Sequence, residues 1–124
     1  MIGPKPPIHP GEILREEFMI PLELSGYALA AACHVPRTRI ERLAREETPV
    51  TADTALRLGR YFGTGPEFWM TLQTAFDLAS ADHKALDVIE PRKAARGERQ
   101  RRLIDRVYPS PPVPPQILRT EAQR

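Results

Sequence analysis

The sequence predicts an all-α fold, a bundle of five short helices, and three observations carry that expectation. Between residues 10 and 90 apolar side chains recur at helical spacing, whereas apolar–polar alternation is nearly absent and β-branched residues are scattered. Residues that start and stop helices stand at the ends of the periodic stretches. Prolines mark the outer limits: of 14, four fall within the first ten residues, six lie from Pro91 onward, and Pro21, Pro36, Pro49 and Pro66 interrupt the stretch between. The chain is accordingly divided into an N-terminal arm, 1–9, a helical domain, 10–90, and a basic, proline-rich tail, 91–124, expected to be flexible. A domain of about 80 residues buries only ~60–65% of its unfolded surface, so a partner subunit is expected to help it.

Each helix has its own signals. Pro10 suits a first helical turn, where its missing N–H costs nothing. Ile13, Leu14 and Phe18 then form an apolar stripe, Glu12, Arg15, Glu16 and Glu17 face water, and Pro21 stops the helix. Ser25 is a good N-cap for a second helix, Gly26 to Cys33, whose alanines allow close packing. His34-Val35-Pro36 breaks the chain, and Pro36 opens a third helix to about Arg45 with Ile40 and Leu43 facing inward. Thr51 caps a fourth helix with Asp53 in its first turn, where a negative charge suits the dipole. Its expected stripe is Ala52, Ala55, Leu56, Gly59 and Phe62, and Gly63 ends it. The fifth starts at Pro66, gathers Phe68, Trp69, Leu72, Ala75, Phe76 and Ala79 on one broad face, and has the pattern to continue toward Ile89. In the tail, Arg92 to Val107 reads as a basic helix weakened by Gly97, and YPSPPVPPQ from Tyr108 as polyproline or disorder.

Charge is divided unequally. Residues 1–90 carry 9 Lys/Arg against 13 Asp/Glu, a balance of −4, and residues 91–124 carry 9 against 3, a balance of +6. The pI near 9.0 therefore belongs to the tail and does not by itself argue for DNA binding by the body. The single cysteine, Cys33, precludes an internal disulfide and a multi-cysteine metal site. His9, His34 and His83 have no partner at metal-ligand spacing, so neither metal nor cofactor is expected. There is no glycine-rich phosphate loop and no G-x-S-x-G elbow, which argues against an enzyme. Without a secretory h-region or an apolar run of the ~20 residues a membrane span needs, the chain is expected to be cytoplasmic.

The chemistry gathers between Ser25 and Arg45. Two helices crossing sharply need a small residue at their close approach and apolar residues at fixed offsets. Ala30 fits the close approach, Leu29 and Cys33 face the bundle, Val35 plugs the turn, and Ile40 and Leu43 anchor the second helix. This is a helix-turn-helix pattern. The outward residues of the second helix are Arg37, Thr38, Glu41, Arg42 and Arg45, with Arg39 at the flank. Four arginines against one acid leave a local balance of +3 inside an acidic body. The arginine fork pairs with guanine O6 and N7 or grips a phosphate, and residues near the start of such a helix reach base edges. Arg37 and Thr38 are thus expected to read bases.

HPGEILREEF, LSGYALA, VPRTRIERL and TADTALRLGRYFGTGPEFWMTLQ, together spanning roughly Ile8 to Ala81, resemble the HigA antitoxins. These are a branch of the λ-repressor-like (XRE) helix-turn-helix regulators. The resemblance implies a five-helix DNA-binding fold, a homodimer, and repression of the protein's own operon by binding operator DNA. It also implies neutralisation of HigB, a RelE-like, ribosome-dependent mRNA-cleaving toxin. It assigns Ser25 and Gly26 to the phosphate-facing start of the first motif helix. The dimer interface is expected on Phe68, Trp69, Leu72, Phe76 and Ala79, Trp69 lying innermost. The sequence departs from the family in three places: Gly26 replaces a polar residue, His34 a turn glycine, and Glu46-Glu47-Thr48-Pro49 a Gly/Lys/Arg-rich loop. Two carboxylates beside a phosphate track repel it. A toxin-binding module with weakened DNA function and a stand-alone regulator are therefore the alternatives. For the basic segment Arg92 to Arg106 three uses stand open: solvation, a DNA-backbone arm, or a toxin-wrapping segment.

Overall fold

The computed structural model describes residues 6–92 and 97–107. Its regular elements are all helical, and the chain falls into two compact units, residues 1–83 and 84–124. In the first unit α1, Pro10–Ile13, begins under His9, whose ring Nδ1 accepts the Gly11 N–H at 2.9 Å. The helix continues through Leu14–Met19 in a π-helical register, with the Ile20 N–H reaching Arg15 O at 2.9 Å. The apolar spacing implies a plain α-helix here. Pro21 accounts for the difference: a continued α-register would press its ring against the Glu17 carbonyl, a clash the wider register relieves.

Ser25 caps α2, Gly26–Cys33, by accepting the Ala28 N–H at 3.0 Å. Pro36 caps α3, Arg37–Ala44, from just outside it. Thr51 caps α4, Ala52–Phe62, and Gly63, at φ 76°, ends it. α5 occupies Pro66–Ser80. Leu14, Leu29, Ile40, Leu43, Ala55, Leu58 and Trp69 are each at most 1% exposed, so every helix from α1 to α5 contributes to one core. Burying a Leu or Ile side chain stabilises by roughly 1.5–3 kcal/mol. Phe18 completes the core, its ring 4.7 Å from Phe62 and 5.1 Å from Trp69. The α4–α5 turn folds tightly onto α4 at Gly59, where a Cβ would lie 2.4 Å from the Gly65 carbonyl carbon.

Two sequence expectations are corrected. On α4 the inward residue is Leu58, and Leu56 is 59% exposed. The stripe through Thr54, Ala55, Leu58 and Gly59 meets Trp69 and α5, and it prevails over the equally periodic one through Ala52 and Leu56. α5 stops at Ser80 instead of running toward Ile89. There Ala81 turns extended, and the His83 ring Nε2 lies 2.6 Å from Leu78 O, closing the helix end with a side chain. The second unit contains a 3-10 turn, Lys84–Val88, and α6, Glu98–Val107. Gly97 precedes α6, its N–H donated to Gln100 Oε1 at 2.8 Å. The proline-rich stretch from Tyr108 lies outside the described residues.

Candidate nucleic-acid interface

α2 and α3 pack as a helix-turn-helix. Ala30, Leu29, Cys33, Ile40 and Leu43 are buried, and Val35 packs half-buried against them. His34 takes the left-handed conformation at φ 57°, the role a glycine fills without strain, at a cost of roughly 1–2 kcal/mol. Its backbone allows the Val35 N–H to return to Ala30 O at 3.0 Å, closing α2. Arg57 of α4 reaches the same helix end, donating to Cys33 O at 2.8 Å and His34 O at 3.2 Å. Sequence reasoning missed Arg57, because its role depends on which face of α4 turns toward α2. Asp53 receives Arg39 and Arg57, and those two guanidiniums hold its carboxyl below the usual carboxylate range. Arg39 is thereby tied to α4 while it stays exposed at the flank of α3.

The rest of α3 divides as its periodicity requires. Arg37, Thr38, Arg42 and Arg45 are exposed, and Glu41 is half-buried. Thr38, Arg39 and Arg42 line a cleft of about 520 Å³ with Pro36, Thr48 and Pro49. Among the described residues Arg42 meets no carboxylate, whereas Arg45 lies 3.5 Å from Glu47. Arg37 Nε donates to Glu41 Oε2 at 2.7 Å, and that carboxylate raises the Arg37 pKa further. Glu41 lies against Gly26: a Cβ on Gly26 would approach Glu41 Cγ to 2.9 Å, so a side chain there would make Glu41 shift. Gly26, Glu41 and Arg37 are therefore brought together beside Ser25, at the start of α2.

The loop acids are compensated. Glu46 adopts φ 65° at the end of α3, and its carboxylate accepts from Arg15 Nη1 and Nη2, both at 3.2 Å. Arg15 also donates to Ala44 O, so one guanidinium of the π-helical segment clamps the end of α3. Glu16 and then Glu46 raise the pKa of that guanidinium. Farther along, Gln73 is buried, accepts the Val50 N–H at 2.7 Å and donates to Asp77 at 2.8 Å, fixing the loop after α3 to α5. Its place four residues after Trp69 was a sequence signal, masked by its polarity.

On α5 the residues expected at a dimer interface separate. Trp69 belongs to the protomer's own core, and Phe76 is half-buried with its ring 4.8 Å from His9. Leu72 is half-buried, and Phe68, Ala75 and Ala79 are exposed. The spacing 68, 72, 75, 79 places these last four on one helical stripe. Among the described residues no helix is long and apolar enough to cross a membrane, and no group of three His, Cys, Asp or Glu is placed to hold a metal.

No protein-family model matches the chain. Over 88 residues it is 52% identical to virulence-associated protein I of Dichelobacter nodosus, covering 69% of this chain and 82% of that one. The Pseudomonas aeruginosa antitoxin HigA, solved with the higBA promoter, superposes with a TM-score of 0.64 and 46% identity, over 68% of this chain and 97% of its own. An addiction-module antidote protein of the HigA family from Coxiella burnetii gives a TM-score of 0.66 and 40% identity, over 71% of this chain and its entire length. With the same helix-turn-helix core and this degree of identity, the chain belongs to the HigA family of helix-turn-helix antitoxins.

Proposed function

We propose that the protein is a dimeric, operator-binding antitoxin that represses its own operon and neutralises a RelE-like, mRNA-cleaving toxin of the HigB type. The observation that carries this reading is the exposed basic face of α3, supported on a helix-turn-helix like that of the relative solved with promoter DNA. Arg37 and Thr38, at the start of α3, read base edges. Arg42 and Arg45 grip phosphates, and the start of α2 at Ser25 and Gly26 approaches the backbone. Arg39 and Glu41 position the other two sets, through Asp53 and Arg37. The working domain is the stretch 10–90, and the reaction class is binding, without catalysis or cofactor. The reading is tested by co-expression with a RelE-like toxin from an adjacent gene and by gel shift on the upstream DNA. Rescue with a specific shift supports it; neither rescue nor shift refutes it.

The Arg37–Glu41 pair favours a second reading, a toxin-binding module with restrained DNA function. The pair is exposed and solvent-screened, so it contributes little to stability, but it engages the arginine that must reach a base. Glu41→Gln is expected to tighten operator binding several-fold in the presence of Arg37 and to have no effect in an Arg37→Ala background. Binding isotherms for the four proteins of that cycle decide between them, because equal tightening in both backgrounds would show that Glu41 does not act through Arg37.

Dimerisation is assigned to the α5 stripe Phe68–Leu72–Ala75–Ala79. A dimer through α5 sets two α3 helices about one DNA turn, ~34 Å, apart on a palindromic site. Ala75→Glu places a charge on the exposed part of that stripe without entering the core. Sedimentation is expected to shift to monomer with helicity kept. A wild-type monomer at tens of micromolar contradicts the assignment.

A further inference from the structure

Helix α6 arranges three arginines, Arg99, Arg102 and Arg106, around one groove with Leu103. Spaced three and four apart, they form a single stripe. Among the described residues only Arg102 of the three meets a carboxylate, Glu98 at 3.7 Å, and no residue of α6 is buried. Like charges aligned on one stripe repel one another, and an extended anion laid along the stripe relieves that repulsion. A nucleic-acid backbone is such an anion, and guanidinium matches its phosphates in bidentate geometry.

We infer that α6 is a second DNA-contacting element, an arm whose Arg99, Arg102 and Arg106 hold phosphates of the duplex that α3 reads. The inference rests on the DNA-binding reading above. The Coxiella relative is matched over its whole length by 71% of this chain, close to the share of the first unit, 83 of 124 residues. The second unit is thus of the size that relative lacks. Charge supports the assignment: a body of −4 over residues 1–90 repels DNA at long range, and the +6 of residues 91–124 offsets it. With Lys84–Val88 wound in a 3-10 turn, residues 84–97 can reach at most roughly 40 Å, which exceeds one DNA turn of ~34 Å. Once α3 holds a duplex, the tethered arm therefore meets phosphates at high effective concentration. A protein partner recognised by apolar burial would instead use the exposed Leu103, Ile104 and Val107.

The test is the salt dependence of the full-length protein on a mixed-sequence duplex of about 40 base pairs, roughly four turns. Arg99→Gln/Arg102→Gln/Arg106→Gln is expected to lower the magnitude of the salt slope by about 3 per bound subunit, and to weaken binding about tenfold or more near 0.15 M salt. The corresponding lysine variant keeps the slope, because it keeps the charges. An unchanged slope in the glutamine variant overturns the inference. Arg42→Ala/Arg45→Ala in the same assay separates the two claims. If it lowers the slope and the glutamine variant does not, DNA binding stands and the arm falls; if neither changes it, the DNA-binding reading itself fails. Loss of toxin rescue on Leu103→Ser/Ile104→Ser, with the glutamine variant's slope intact, assigns α6 to a protein and also overturns the inference.

Discussion

Replacing Arg37, Arg42 and Arg45 together by alanine is expected to weaken operator binding on the order of a thousandfold or more near 0.15 M salt. The magnitude follows from two separable parts. A base-reading arginine contributes ~1–3 kcal/mol of discrimination, so Arg37→Ala alone relaxes the preference at one base pair of each half-site. Each lost phosphate contact lowers the salt slope by about 0.9, so losing Arg42 and Arg45 from both subunits lowers it by roughly 4. The fold is not at risk, since all three side chains are exposed and the α3 core residues Ile40, Leu43 and Ala44 are retained. Circular dichroism should be unchanged while gel shifts at two salt concentrations reveal the loss. Unaltered binding would place the DNA on another surface.

The largest effect on stability is expected at Gly11. A Cβ there would lie 1.8 Å from Leu43 O, so α1 cannot keep its place on the end of α3 without backbone movement. Overpacking of this kind costs roughly 1–3 kcal/mol or more. For a domain of this size each kcal/mol lowers Tm by about 4–8 °C, so Gly11→Ala should melt on the order of 10–20 °C lower. The same movement detaches Arg15 from Ala44 O and Glu46, loosening the recognition helix as well as the core. A Tm within a few degrees of wild type would mean that α1 and α3 slide apart without loss.

The parts legible in the sequence are those set by neighbours along the chain. Ser25, Thr51, Pro66 and Gly63 each mark a helix end because capping chemistry acts within a turn. His34, in the motif turn, likewise stands where local reading places it. What escaped depends on contacts across the fold. Leu56 and Leu58 both fit a helical stripe on α4, and only the position of Trp69 decides between them. Gln73 reads as polar surface until Val50 supplies a buried N–H for it. Glu46 reads as a bare repulsive charge, yet Arg15, 31 residues earlier, neutralises it. Arg39 reads as a flanking residue of α3, and only the fold shows that Asp53 of α4 is its partner there.

The central claim is that the α3 face reads a specific DNA sequence. Its most direct measurement is the ratio of dissociation constants for a duplex carrying the DNA upstream of the protein's own gene and for a scrambled duplex of equal length and composition, at one salt concentration near 0.15 M. A sequence-reading dimer predicts a preference of about a thousandfold or more. Equal affinity for the two duplexes would contradict it, leaving only a charge-driven grip on phosphates.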